Sequence, residues 1–360
     1  MSRYLIIDIG AGTMDILYYD DQSDLHYKAV VKSPVRHLAE EIEAVPGNLL
    51  VTGCEMGGGP VSTVLKARAA DAEVVMTSAA AATIHHNPDR VQSSGIRIVS
   101  DTEAASLQDD PEYHGITTGD LQIERIERIV KGFGMPFQFD AVGICAQDHG
   151  VPPGGMSHLD YRHSLFQQKL EKNPFPHALL FRSDEIPPTL NRLVSIAESA
   201  RRLPTEEIYV MDSGMAAILG ASTDVQTNGK QETLVLDIAT SHTVGATLSG
   251  GEIAGFFEYH THDITRQHLE DLTQELADGD LSHEQILREG GHGAFMRKSI
   301  GFQSVDIILA TGPKRKLLEG SHLPIVWGAP LGDNMMTGTV GVLEAIRKRK
   351  GLPSLVNSGS

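Results

Sequence analysis

The string Asp8-Ile-Gly-Ala-Gly-Thr-Met-Asp15 sets two carboxylates and a hydroxyl around two glycines, at the end of an apolar run. Gly10 and Gly12 let a backbone turn sharply and bring N–H groups against an anion. Thr13 adds a hydroxyl donor. Asp8, at the tip of a buried strand, is placed to hold Mg²⁺ through water, because Mg²⁺ keeps several of its waters when bound. Asp15 faces the same side if the turn is a hairpin. A Gly-rich turn by itself is about as often an ordinary hairpin. A second copy changes the balance: Asp237-Ile-Ala-Thr-Ser-His-Thr243 carries a matching Asp and the hydroxyls of Thr240, Ser241 and Thr243, without the glycines. Ala239 and His242 there restrict close backbone approach, so weak binding or a different ligand stays open. The chemistry these residues suit is capture of a polyphosphate, with Mg²⁺ held through water by Asp8 and Asp237.

Other residues carry weaker signals. Asp212 opens a stretch with small residues at Gly214, Ala216 and Ala217, and an Asp in that place readily caps a helix. His260, His262 and Asp263 lie close together at a strand end, a spacing that sets two imidazoles on one side for a transition metal. Sixteen histidines make chance clusters common, and no further His or Cys is tied to this group by spacing. The pair His85-His86 is a poorer candidate still. Gly57-Gly58-Gly59-Pro60, ahead of a helix, is either an anion site or a flexible turn.

The elements needed to position these groups repeat. Arg3–Asp20 reads as a buried strand, a tight turn and a second strand, and 232–250 repeats that plan. Each copy continues into a third strand (25–31 and 253–259) and a helix (35–45 and 265–277). Asn48–Gly53 and Asp306–Gly312 are also alike, strands running into glycine and then a helix. Between the copies lie an amphipathic helix (120–132), a buried strand (139–146) and a Pro/His-rich loop (147–163). A final helix, 334–350, opens on small residues and ends in a basic run that suits a helix C-terminus.

Bulk properties set the outer limits. With 360 residues, 41% hydrophobic and 21% charged, the chain has material for two lobes with sizeable cores. A net charge of −17 speaks against nucleic acid or an anionic membrane as partner. Only Cys54 and Cys145 occur, which excludes a disulfide framework and any Cys-rich zinc or iron–sulfur site. No signal-peptide pattern occurs, and no apolar run approaches the ~20 residues needed to span a bilayer, so a cytoplasmic location is expected.

The two Asp-tipped loops resemble the phosphate-1 and phosphate-2 loops of the actin/sugar-kinase/Hsp70 ATPase superfamily. That resemblance spans most of the chain and implies an α/β protein of two ribonuclease-H-like lobes, with mixed sheets flanked by helices, binding ATP and Mg²⁺ in the cleft. It assigns Ile307-Ile-Leu-Ala-Thr-Gly-Pro-Lys314 to the adenosine motif, with Gly312 and Lys314 at the nucleotide, although the superfamily usually shows two adjacent glycines there. Val210–Ala221 and 334–346 match its two connecting helices, and in its hexokinase-like branches an Asp placed as Asp212 is the base. The strand ending in Gln147-Asp148-His149-Gly150 resembles a carbohydrate-kinase substrate loop, which implies Asp148 in catalysis and Gln147 and His149 at a small-molecule substrate. The implied boundaries are a first lobe 1–221 with an insertion over roughly 45–202, a second lobe 222–333, a connecting helix 334–350 and a tail 351–360.

Three functions follow from the resemblance: an ATPase coupled to conformational change or to activation of a partner enzyme, a small-molecule kinase, or a catalytically inactive nucleotide-binding regulator. The Gly-Thr-x-Asp form of the first loop is closer to the ATPase branches. As a whole the chain is similar to a prokaryotic family labelled pyruvate formate-lyase activating enzyme. Radical activating enzymes of that name need three closely spaced cysteines for a [4Fe–4S] cluster, which Cys54 and Cys145 do not supply.

Overall fold

A computed structural model describes residues 2–22, 26–154 and 156–355. Leu25 and the expected tail from residue 356 onward lie outside the described residues. Arg3–Ile9 (β1) and Thr13–Asp20 (β2) close an antiparallel hairpin with Asp8 opposite Asp15, and His26–Lys32 (β3) extends it antiparallel. From Tyr4 on, β1 is apolar on both faces because it ends up central, and Asp8 breaks that run.

The chain then leaves this sheet. Asn48–Gly53 (β4), Val74–Thr77 (β5), Ile96–Val99 (β6) and Tyr113–Thr118 (β7) build a separate parallel sheet in the order β6-β5-β4-β7. Helices Pro34–Ala44 and Gly59–Arg68 cover one of its faces through Val35, Leu38, Ile42, Val61 and Leu65. Helix Asp101–Leu107 covers the other through Ala104. Returning, Ala141–Ala146 (β8) pairs parallel to β1, and Leu180–Arg182 (β9) and Ile208–Asp212 (β10) complete a six-stranded sheet, β3-β2-β1-β8-β10-β9.

Glu232–Ile238 (β11), His242–Ser249 (β12) and Glu252–His260 (β13) repeat the opening meander. Gly293–Met296 (β14), Ile307–Thr311 (β15) and Ile325–Trp327 (β16) finish a second six-stranded sheet, β14-β13-β12-β11-β15-β16. The two sheets share one plan down to register: Asp8 of β1 lies beside Cys145 of the parallel β8, and Asp237 of β11 beside Thr311 of the parallel β15.

Two helices, Ser213–Ala221 and Thr337–Arg349, cross between the sheets with backbones in contact. A methyl at Gly220 would fall 1.8 Å from the Thr337 carbonyl oxygen, and one at Gly341 1.8 Å from that of Ala216. Only glycine lets the helices approach this closely.

The structure redraws three sequence expectations. Within the stretch 45–202, only β4–β7 and their helices stand apart as an inserted unit, while β8 and β9 belong to the first-lobe sheet. β4 is not the counterpart of β15. That place is taken by β8, since a short apolar strand ending in glycine carries no information about which sheet it joins. The expected helix after Gly312 is a 3₁₀ turn, Arg315–Leu318, because Gly312 adopts φ +89° and the Lys314 N–H is drawn back onto the Ile238 carbonyl at 2.9 Å.

Candidate functional site

Both hairpin turns are built alike. The Gly10 N–H donates to the Thr13 carbonyl at 3.0 Å, and the Ala239 N–H to the His242 carbonyl at 3.1 Å. The turns face one another. A Cβ at Gly12 would meet Thr240 Cγ2 at 2.6 Å, so the glycine makes room for the opposite loop. Neither Gly10 nor Gly12 has a positive φ. The turn is tight without needing a positive φ, and at Gly12 it is close approach of the opposite loop that requires glycine.

Asp8, Asp15 and Asp237 line one cavity of about 800 Å³, together with Gly10, Gly12, Thr13, Thr240 and Ser241. Gly338 packs on Asp8 so tightly that a Cβ there would lie 2.0 Å from Oδ2. Gly312 abuts Asp237, its would-be Cβ 2.8 Å from Oδ1. Thr243 is fully buried and shares a hydrogen bond with Thr261 at 3.0 Å. Lys314 is exposed, and its neighbour Pro313 lines the cavity.

The carboxylates are electrostatically frustrated. Burial pushes Asp8 up to about 6. Burial and then the charge of Asp8 raise Asp15 to about 8 and Asp237 to about 7. Asp15 Oδ1 is buried with no hydrogen-bond partner. A divalent cation would relieve the repulsion and the unmet acceptor together, so these residues fit Mg²⁺.

The other acidic candidates are committed. Asp212 caps helix Ser213–Ala221, its Oδ1 accepting from the Met215 N–H at 3.1 Å, while Oδ2 accepts from Arg162 at 2.8 Å. Asp148 accepts from the N–H groups of Gly150 at 2.8 Å and Leu193 at 3.0 Å. Arg162, on helix His158–Lys172, also donates to Glu258 of β13 at 2.6 Å, and all three side chains are buried. Gln147 donates to Glu258. Half-buried beside them is His149, which desolvation and then Arg162 hold down at about 3.

Of the expected metal group, the structure gathers His260 with two other residues, His242 and His292, while the His262 side chain is 75% exposed and sits 3.3 Å from Asp263. Sequence reading missed His292, Glu258 and Arg162. The one available signal for His292 was its setting in Gly290-Gly291-His292-Gly293, where Gly290 and Gly293 have positive φ.

The inserted sheet also reaches the cavity. Its strands point their carboxyl ends at the cleft, where ligands of parallel sheets bind. Glu55, Gly57–Gly59, His85 and His86 line the wall, with His86 Nε2 2.8 Å from Glu55. Asp120 steadies this wall by a partly buried ion pair with Arg192 at 2.8 Å.

Two lobes that share a five-strand order, β3-β2-β1-β8-β10 and β13-β12-β11-β15-β16, and carry acidic hairpins that meet over a shared cavity define an actin-like fold. The chain belongs to the family described as "Putative pyruvate format-lyase activating enzyme (DUF1786)", whose model matches residues 56–317. No curated protein sequence matches it. Solved structures similar to it include the PilM-PilN type IV pilus biogenesis complex, at 12% identity over 96% of this chain and 98% of that chain, TM-score 0.41. Component A of Acidaminococcus fermentans (R)-2-hydroxyglutaryl-CoA dehydratase follows at 11% over 95% and 96%, TM-score 0.35. MreB5 of Spiroplasma citri bound to ADP aligns at 11% over 98% and 99%, TM-score 0.36. At these scores none of the three bears on the site. Among the described residues, no helix is long and apolar enough to cross a membrane.

Proposed function

We propose that the chain binds ATP with Mg²⁺ between its lobes and hydrolyses it, coupling hydrolysis to a change in lobe arrangement or to activation of a partner enzyme. The observation that carries this reading is the meeting of Asp8, Asp15 and Asp237 with two opposed hairpin turns in one cavity. Asp8 and Asp237 would hold the cation through water, with Asp15 adding negative charge beside them. The hydroxyls of Thr13, Thr240 and Ser241 and the turn backbone would receive phosphate oxygens. Bound Mg²⁺ would supply charge neutralisation for the phosphates, the main requirement of phosphoryl transfer.

Hydrolysis is favoured over transfer to a sugar-like acceptor because both carboxylates expected to act as base, Asp212 and Asp148, already have both oxygens hydrogen-bonded. Cys54 and Cys145 do not support a radical-cluster reading of the family's description, since they leave a [4Fe–4S] site short of thiolates. The test is a thermal-shift titration of ATP and ADP with and without Mg²⁺, followed by phosphate release. A Mg²⁺-dependent rise in Tm is expected at saturating ATP, reflecting a stabilisation of about 3 kcal/mol at a hundred times Kd by mass action. Asp8→Asn should lose most of it. No nucleotide-dependent shift in the wild type would refute the reading.

A further inference from the structure

Three imidazoles from separate parts of the second lobe converge on the cavity wall. His242 begins β12, His260 ends β13, and His292 directly precedes β14. One ring nitrogen of each lies within 4.8 Å of the other two. The ring centroids are 4.9 Å apart for His242–His260, 4.7 Å for His242–His292 and 4.4 Å for His260–His292. Strand register produces the first pairing, because His242 lies directly opposite His260 in the β12–β13 ladder. His292 is set by its backbone N–H, which donates to the Glu258 carbonyl at 2.8 Å.

The cluster has the chemistry of a ligand set. His292 Nε2 and His260 Nε2 are 3.0 Å apart, near the roughly 3.3 Å between two nitrogens sharing a tetrahedral Zn²⁺. Glu258 Oε1 stands 3.5 Å from the other nitrogen of His292, the carboxylate-backed arrangement that fixes the tautomer of a metal-bound imidazole. His242 Nε2 is buried with no hydrogen-bond partner, a loss of about 1–3 kcal/mol that packing alone would not explain. All three rings also border the cavity.

We propose that His242, His260 and His292 bind a first-row transition cation of the Zn²⁺ class, with a remaining coordination position open to water or to an oxygen donor of a molecule in the cleft. Imidazole nitrogens select such ions over Mg²⁺, and three protein ligands with an open position are the pattern of reactive rather than purely structural sites. The site is chemically distinct from the Asp8–Asp15–Asp237 group, and the proposal stands whether or not ATP binds.

The test is titration of chelator-treated full chain with Co²⁺ in the absence of nucleotide and Mg²⁺. One equivalent per chain should bind, with the intense visible absorption of a four- or five-coordinate nitrogen site, and Zn²⁺ should displace it. His260→Ala, verified as folded by circular dichroism, should weaken binding at least ~10-fold, as loss of even an outer-shell partner does. His262→Ala, the exposed neighbour, should bind as the wild type does. Weak octahedral-type absorption unaffected by His260→Ala would put the ion on carboxylates and overturn the proposal. Should His260→Ala fail to fold, the wild-type spectrum decides alone, since absence of the intense bands overturns it.

Discussion

At the scale of single residues, the three cleft carboxylates decide how stability should depend on pH. Asp8, Asp15 and Asp237 have folded pKa values of about 6, 8 and 7, above the ordinary ~3.9 of an unfolded Asp. The folded chain therefore holds protons that the unfolded chain has released, and the associated stability is lost as pH rises through the folded values. His149 and His242 run the opposite way, because their lowered values cost stability as pH falls below about 6.5. Above that pH these two histidines no longer contribute, and His86, whose value the hydrogen bond to Glu55 raises, adds to the loss. With chelator present, Tm should fall between about pH 6.5 and 9 by at least the ~1–2 °C that 1 kcal/mol represents in a chain this large. Asp15→Asn should flatten the fall, and millimolar Mg²⁺ should restore Tm most at the alkaline end. A slope identical in wild type and Asp15→Asn would refute the assignment.

The element scale is governed by the crossing of helices Ser213–Ala221 and Thr337–Arg349. Gly341→Ala has nowhere to place its methyl except against the Ala216 carbonyl, so the helices must separate. A cost of about 1–3 kcal/mol is expected from overpacking. Gly132, at the end of helix Ile123–Gly132, has open space around a would-be Cβ, and Gly132→Ala should be neutral or stabilising by up to about 1 kcal/mol. Urea unfolding of the two variants compares them directly. Equal midpoints would show that the crossing tolerates a methyl. The same close approach sets Gly338 of the second helix against Asp8, so the helices that join the lobes also fix the cleft.

For the whole molecule, Arg162 ties the lobes together. Its guanidinium donates to Asp212 at the end of β10 in one sheet and to Glu258 of β13 in the other, with all three groups out of solvent. Removing only the cation strands two buried carboxylates. Arg162→Met should therefore cost about 3–5 kcal/mol, and adding Glu258→Gln should recover part of it. Thermal unfolding of wild type, both single variants and the double variant measures the coupling. Strict additivity would show that the bridge does not act as a unit. Because Glu258 also backs His292, the same bridge couples lobe position to the histidine cluster.

The amino-acid sequence alone determined the two acidic hairpins and their duplicated strand-and-helix surroundings. Each is a local feature, written in apolar runs that end on Asp and turn within a few residues, and local chain stiffness suffices to form it. The ends of the second-lobe elements also fell within a residue or so of 253–259 and 265–277. Only the tertiary structure decided that β8 rather than β4 joins β1, that Asp212 is held by Arg162, and that His260 gathers with His242 and His292 instead of His262. Such partnerships depend on strand order, register and lobe packing between segments far apart in the chain. Sheet edges and buried charges find their partners through space, and spacing along the sequence carries no record of that choice.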